Sequence, residues 1–498
     1  MIRAVSRRRL RGLLVASLAA VLAGCAGLPP ALPPPPALAT HAPLGGVPVA
    51  RQARWPVDAW WRSFGDPQLD TLIQRALAAS PNLAAARARV RAAESLAGIA
   101  RAAAQPQVGL HADATRQRMS ENGLIPPRFL GFTWYTQTDL AAQLAYTFDF
   151  WGRERAALAA RIDEARAAQA EARSVRNGLA SAIASTYFAW QGGRAQLVDA
   201  TRLVQLARRQ AALDAARVHQ GLAPEDLATQ ARLEVDQAEA RRVALEGATR
   251  AQYAVLAALS GVSPARLRLQ VRPLPHPAAG LPADARLDLL GHRPDLAALR
   301  WQVEAMGQDV RAARADFLPN LSLEAMAGFS SIHASKTLAL GSRVFGVAPA
   351  LNLPLFDAGL LKARYGVSLA QLDAAAAQFN QAVLDASREV AVAVLDFDRL
   401  RQQRRVQMGI LHASEQLARQ ADARLRQGLT DASPALAARA GELAQHAALA
   451  ALEAQQLGAQ VALIQALGGG FTAAPPPAEA TTPPRATPAP QHAPEPRP

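Results

Sequence analysis

Four stretches of the chain alternate apolar and polar residues with the two-residue period of a β-strand. Polar residues opposite an apolar face with aromatic ends are typical of barrel strands that face lipid. A half-buried soluble hairpin is the alternative that the periodicity leaves open. The apolar positions are Val108, Leu110, Ala112 and Ala114; Phe132, Trp134, Leu140, Ala142, Leu144, Tyr146 and Phe148; Leu321, Leu323, Ala325 and Ala327; and Phe345, Val347, Leu351, Leu353 and Leu355.

Two segments, 153–219 and 362–426, contain no proline and predict very long helices. At 1.5 Å per residue the first would be roughly 100 Å long. In the second, apolar residues from Leu369 to Leu400 step by three and four, which predicts a heptad seam. Shorter helices, about 81–104 and 224–260, match a long helix when placed end to end. The pattern predicts a tall wall of paired helices, and a solid coiled-coil bundle is the alternative.

The two halves of the chain repeat one another. The stretch SPNLAAARARVRAA at 80–93 resembles RPDLAALRWQVEAM at 293–306, and Gly221 has its counterpart in Gly428. A duplicated unit of about 200 residues explains these matches. We assign the copies to residues 60–270 and 271–470, each in the order helix, two strands, long helix, helix.

Two strands per copy give four strands in one chain. The smallest membrane barrels have about eight strands, so four cannot close a pore through lipid. If these strands cross a membrane, several chains must contribute to one barrel. The spacing of the strands leaves a dimer and a trimer equally open.

The N-terminus combines five arginines, a short apolar run and the only cysteine of the chain. A basic head followed by an apolar stretch predicts a secretory signal peptide, residues 1–24. The residues just before Cys25 resemble the lipobox of bacterial lipoproteins, which implies acylation of that thiol and cleavage in front of it. By the same resemblance, Ala26 favours sorting to the outer membrane. An ordinary signal peptide with a chance cysteine is the alternative.

Composition excludes few classes of protein. The formal charge of +14 includes the signal-peptide arginines, and the basic stripe with interleaved aromatics of a nucleic-acid binder is missing. Zinc-spaced histidine pairs, a nucleophile elbow and a phosphate loop are also missing, so we expect no enzyme activity, no metal and no cofactor apart from the lipid. We expect no membrane helix after the signal peptide, because no other apolar run approaches the roughly 20 residues that one requires. We predict a proline-rich tether at residues 25–59 and a disordered tail at residues 471–498.

Four further motifs resemble the outer-membrane factors of tripartite efflux pumps, the TolC-type channels, and within them the lipoprotein branch. They are Phe64–Asp70 (FGDPQLD), Leu289–Leu296 (LLGHRPDL), Ala312–Pro319 (AARADFLP) and Pro354–Gly359 (PLFDAG). The resemblance implies an α+β membrane protein, a homotrimer whose chains each give four strands to one β-barrel, continued by a long α-helical coiled-coil barrel in the periplasm.

The resemblance also implies a function and partners. The chain would be a lipid-anchored outer-membrane channel that passively conducts small molecules and drugs to the exterior. It would receive them from a periplasmic adaptor (a membrane fusion protein) and an inner-membrane, proton-driven pump of the resistance-nodulation-division type. A channel for type I protein secretion and a purely structural envelope lipoprotein are the alternatives.

Two sets of site residues follow from the resemblance. The helix tips of the family dock the adaptor, which implies a docking role for Gly221, Leu222, Ala223, Gly428, Leu429 and Thr430. A glycine that ends a helix explains Gly221 and Gly428 without docking, and Ala223 departs from the usual small hydroxylated residue. Family channels narrow near these tips through carboxylate rings, which implies a gate at Asp422. A solvated helix residue beside Arg424 and Arg426 is the alternative for Asp422.

Overall fold

The computed structural model describes residues 30–48, 53–123, 126–276, 282 and 285–473. The predicted signal peptide, Cys25, and all but the first three residues of the predicted tail lie outside the described residues. Within those ranges the chain forms long helices and one antiparallel sheet. The helices are α1 (Pro67–Ala79), α2 (Pro81–Ala103), α3 (Pro127–Leu130), α4 (Arg153–His219), α5 (Glu225–Leu259), α6 (Ala285–His292), α7 (Pro294–Ala315), α8 (Leu360–Arg426) and α9 (Ala432–Ala466), and the strands are β1 (Gln107–Arg118), β2 (Trp134–Phe148), β3 (Asn320–Ser331) and β4 (Arg343–Asn352).

Both predicted long helices are confirmed, each with 67 residues. Helix α4 begins and ends at the predicted residues, whereas α8 begins two residues earlier than expected. Gly359 stands before it with φ 86°, and the Asp357 carboxylate accepts the backbone N–H of Leu361 at 2.6 Å. Such a carboxylate satisfies a first-turn donor that has no partner inside the helix, so α8 starts at Leu360.

The sheet has the order β1-β2-β3-β4 with every neighbouring pair antiparallel. Strand β2 pairs with β3, so the strand pairs of the two predicted repeats join into one sheet. One row of directly opposed residues crosses the four strands from β1 to β4. Its members are Leu110, Ala142, Ala327 and Phe345. Directly opposed residues share a face, so the four predicted apolar faces form one continuous surface. In the single chain that surface is exposed on β1 and β4, with Phe345 86% accessible, and largely half-buried on β2 and β3.

Two strand ends differ from the prediction. Strand β2 begins at Trp134, because the preceding segment forms the short helix α3 and turns at Gly131, leaving Phe132 outside the sheet. Strand β4 ends at Asn352, so Leu353 and Leu355 lie beyond it. Pro354 has no N–H to donate to a ladder and restricts the residue before it, and the chain leaves the sheet there.

The helices continue the order of the strands. Next to the sheet, α2 packs on α4, α4 on α7, and α7 on α8; farther away, α4 packs on α5 and α9, and α8 on α9. The predicted heptad seam of α8 lies in these contacts. Leu369 is partly buried and the other seam positions are buried. They are Leu372, Ala376, Phe379, Val383, Ala386, Val390, Ala393, Phe397 and Leu400.

The FGDPQLD motif fixes a compact region beside the middle of α4. Gly65 turns the chain at φ 69°, and Asp66 caps α1 by accepting the N–H of Gln68 at 2.9 Å. The second carboxylate oxygen of Asp66 accepts the hydroxyl of the buried Tyr187 at 2.6 Å. Burial and this carboxylate raise the pKa of Tyr187, so the phenol stays protonated and donates.

The proline-rich segment 30–48 is packed on the body of the protein along α8. Ala42 and Leu44 are buried in the core that contains Phe379 and Val383. The side-chain amide of Asn380 binds the backbone of this segment twice, accepting from Ala39 N at 2.8 Å and donating to Ala37 O at 2.9 Å. The expectation of a simple tether therefore needs correction for these residues, because their apolar side chains are part of the core.

Helix α9 also corrects the reading of apolar runs. By length and composition it could cross a membrane, whereas we expected no such run after the signal peptide. The many alanines of α9 make it apolar, and their small side chains let it approach α4 and α8 closely. We interpret α9 as a member of the helical wall, since Leu457, Val461 and Leu463 are buried against neighbouring helices.

Candidate functional site

The two predicted helix tips are the turns between α4 and α5 and between α8 and α9, and they have the same geometry. Gly221 and Gly428 adopt φ 72° and 68°. Leu222 N donates to Arg217 O at 2.8 Å, and Leu429 N donates to Arg424 O at 3.0 Å. Together with the glycine N–H bonds, these are the Schellman closure of a helix, which requires a left-handed residue. The predicted glycine caps are confirmed.

The helices that follow the two tips begin differently. Pro224 precedes α5 as its N-cap residue. Helix α9 instead starts behind Asp431, whose carboxylate accepts the N–H of Ser433 at 3.1 Å. Pro434 falls within the first turn, where a missing N–H costs nothing because that position has no acceptor inside the helix.

The six predicted docking residues lie together at these turns. Leu222 and Leu429 are 73% and 69% exposed, while Ala223 and Thr430 are partly buried. Two large apolar side chains on adjacent turns, without cover from this chain, offer a small apolar contact surface. The structure thus brings the six residues to one end of the molecule; their binding role stays a prediction.

Asp422, the predicted gate residue, is paired across the α8–α9 hairpin. Arg439 Nη2 donates to Asp422 Oδ2 at 2.6 Å and Arg439 Nε to Asp422 Oδ1 at 3.1 Å. This guanidinium lowers the pKa of the Asp422 carboxyl below its usual range. Of the two arginines beside it in sequence, Arg426 contacts only the Asp422 backbone carbonyl, at 3.3 Å. The negative charge of Asp422 is therefore balanced by the positive charge of Arg439 in the same chain.

A polar network that sequence reasoning did not predict links the two hairpins above the tips. Arg217 of α4 binds the neighbouring Asp214 and also Asp431 from the other tip. Gln210 donates to Asp214 at 2.9 Å and to Ser433 at 3.0 Å. These residues border a groove of about 770 Å³ between α4, α5 and α9. The sequence held one signal of this network, because Asp214 interrupts a series of apolar residues spaced by three and four along α4, from Leu197 to Val218.

In the part of the chain that the structure describes, no group of three or more His, Cys, Asp or Glu side chains is placed to hold a metal ion.

Long paired helices that end in capped tips, together with a four-stranded sheet that is apolar on one face, define a membrane channel subunit.

The chain belongs to the outer membrane efflux protein family, whose model matches residues 72–262 and 287–469. It is 34% identical to the multidrug resistance outer membrane protein MdtP of Escherichia coli K12 over 436 residues, covering 84% of this chain and 88% of that protein. It is 31% identical over 465 residues to MdtQ of Escherichia coli O6:H1, covering 91% and 96%.

Solved structures agree with this membership. The outer membrane protein VceC of Vibrio cholerae superposes with a TM-score of 0.75 at 31% identity, covering 84% of this chain and 100% of VceC. The outer-membrane channel OprN superposes with a TM-score of 0.78 at 26% identity, covering 89% and 99%. These findings confirm the prediction of an outer-membrane channel component of efflux systems.

Proposed function

We propose that three copies of this chain form one closed twelve-stranded barrel in the outer membrane, continued by a helical tunnel in the periplasm. Through it, small molecules and drugs leave the cell passively. The observation that carries the proposal is the four-stranded sheet with its exposed apolar face and two free edges, β1 and β4. In lipid every backbone polar group needs a partner, so the edges must pair with other copies.

The choice of three copies rests on the resemblance to the family, because two chains with eight strands would also reach the minimum of about eight for a membrane barrel. The helices support the same assembly. They follow the order of the strands, so closing the sheet also places α8 of one copy beside α2 of the next. The assembly of the copies would then close the barrel and the tunnel together.

The membrane anchor of the proposed channel is a lipid on Cys25. The thiol would be acylated and the chain cut in front of it, so that Cys25 becomes the first residue of the mature protein. The position of segment 30–48 supports a lipid on Cys25, because this segment starts beside Tyr365, close to the end of the sheet. Radiolabelled palmitate should label the protein, and Cys25→Ala should remove the label.

The tips are the proposed contact with a periplasmic adaptor, which joins the channel to an inner-membrane pump of the resistance-nodulation-division type. Exposed Leu222 and Leu429 support this role, since a hairpin tip of matching apolar character could cover them. No catalysis is part of the proposal: the pump supplies the energy, and this chain supplies a path.

The proposed gate is a ring of three Asp422 carboxylates. Each belongs to a pair with Arg439, and the six charges together would set the field at the narrow end of the tunnel. Opening would separate copies of the hairpin while the pair inside each hairpin stays intact. Arg439 offsets the charge of each carboxylate, so this ring would attract cations less strongly than three unpaired carboxylates.

Deletion of the gene and complementation test the function. An efflux channel predicts that the deletion strain becomes sensitive to drugs, that the full chain restores resistance, and that the purified protein conducts in planar bilayers. A channel for type I secretion predicts loss of a secreted protein with unchanged drug sensitivity. A structural envelope lipoprotein predicts neither conductance nor drug sensitivity, and that result would overturn the proposal.

A further inference from the structure

An apolar groove opens where the chain leaves β4 and enters α8. Its volume is about 570 Å³, within the range of roughly 300–1,000 Å³ that is typical of ligand sites. Phe356 at its mouth is 90% exposed. An exposed aromatic side chain beside other apolar residues indicates a surface that is covered in the working protein. The apolar side chains of the lining include Pro30, Phe317, Leu355, Phe356, Leu361 and Leu369.

The N-terminal segment is fixed at the edge of this groove. Arg314 Nε donates to the carbonyl oxygen of Pro30 at 2.8 Å, and the Tyr365 hydroxyl donates to the carbonyl oxygen of Ala31 at 3.1 Å. Pro30 itself forms part of the lining. Whatever is attached to the chain just before Pro30 therefore starts next to the groove.

Cys25 lies five residues before Pro30. A fully extended chain spans at most about 3.6 Å per residue, so the Cys25 backbone lies within roughly 18 Å of Pro30. A lipid on Cys25 could therefore reach the groove without any change in the bonds to Arg314 and Tyr365. Lys362, exposed at the rim, places a cation where the phosphate groups of a bilayer surface would lie.

We propose that the acyl chains attached to Cys25 leave the bilayer at this groove and that the groove binds them there. The inference rests on the proposed function, because it requires Cys25 to be acylated. It adds that the anchor is docked onto the β4–α8 junction and is not a free tether. Docking would hold the lipid at the same height as the ends of the strands, so that the anchor and the barrel enter the membrane together.

The first copy of the repeat offers a matched control. Phe150, at the junction of β2 and α4, is also exposed, and it is absent from the lining of the groove. If Phe356 were only an aromatic residue at the membrane surface, Phe356→Asp and Phe150→Asp would behave alike. If Phe356 covers the lipid on Cys25, only Phe356→Asp would release it.

The test is performed on the full chain in its own outer membrane. Cells are fed a palmitate analogue that carries an alkyne and a diazirine, irradiated, and the purified protein is digested and analysed by mass spectrometry. The expected product is one covalent species that joins the Cys25 peptide, through its lipid, to a peptide from residues 354–369. It should be lost in Phe356→Asp and kept in Phe150→Asp.

Three results would overturn the proposal, and they identify different failures. A labelled Cys25 whose lipid is linked only to strand residues would leave acylation standing and reject the groove. Links from free lipid to the groove that persist in Cys25→Ala would assign the groove to membrane phospholipid. An unlabelled Cys25 would reject acylation itself, and the groove proposal with it. The map of the unaltered protein decides among these even if Phe356→Asp fails to fold.

Discussion

Arg439 holds Asp422 by two hydrogen bonds across the α8–α9 hairpin, at 2.6 and 3.1 Å. The pair lies about two turns before Gly428, at the end of the molecule that carries the two tips. It therefore gives the predicted gate residue a specific partner, and separate substitutions of Asp422 and Arg439 can distinguish the carboxylate from the pair.

The first prediction concerns conductance. Asp422→Asn removes the carboxylate and should weaken block of the open channel by divalent cations, whereas Arg439→Gln leaves the carboxylate unbalanced and should strengthen the block. Single-channel recording at several magnesium concentrations measures both. Equal block in the two variants and in the unaltered protein would show that Asp422 does not face the ion path.

The same pair predicts a dependence on pH. Because Arg439 lowers the pKa of Asp422 in the folded protein, the stabilisation is present above the ordinary aspartate value of about 3.9 and is lost as the pH falls through the lowered pKa. In Arg439→Gln the carboxyl should protonate at a higher pH. Cation block recorded from pH 7 downwards should disappear earlier in Arg439→Gln, and coinciding curves would contradict this.

A second prediction concerns helix packing. A Cβ on Gly192 of α4 would lie 2.4 Å from the Cβ of Ala454 on α9, whereas a Cβ on Gly178 meets nothing within 4 Å. Gly192→Ala should destabilise by about 1–3 kcal/mol through overpacking. Gly178→Ala should stabilise by about 0.5–1 kcal/mol, since alanine suits a helix interior better. Thermal unfolding in detergent checks both, and shifts of the same sign would contradict the packing argument.

A third prediction concerns a buried carboxylate. His446 of α9 lies 2.6 Å from Asp199 of α4, whose side chain is 2% exposed, and Arg202 is the more distant partner at 3.7 Å. Removing one partner leaves a buried acceptor less satisfied, so His446→Ala should cost about 1–3 kcal/mol. The control His412→Ala removes an exposed histidine of α8 and should change stability by less than about 0.5 kcal/mol. Equal melting points for the two variants would reject this role.

A fourth prediction concerns the tips. Leu222→Asp combined with Leu429→Asp places charge on the proposed apolar contact and should abolish cross-linking to the adaptor while the channel still assembles. Leu338→Asp, an equally exposed leucine between β3 and β4, is the control and should cross-link normally. Unchanged cross-linking in the tip variant would remove these residues from the adaptor contact.

Much of the fold was predictable because its signals are periodic. The predicted limits of α4 are correct to the residue, and alternation predicted that Leu110 and Phe345 each lie on the apolar face of their own strand. Contacts between distant segments were not predictable. Nothing in the spacing of Asp422 and Arg439 shows that they meet, since the turn at Gly428 has to fold first. Proline content suggested a tether at 30–48, while burial of Ala42 depends on a core to which α6, α7, α8 and α9 all contribute.

The central claim is that one chain carries too few strands to close a pore and must assemble with copies of itself. Native mass spectrometry of the particle extracted from the outer membrane counts the copies directly. The account predicts one dominant species with the mass of three mature chains. A dominant species with the mass of a single chain, in a preparation that still conducts in bilayers, would contradict it.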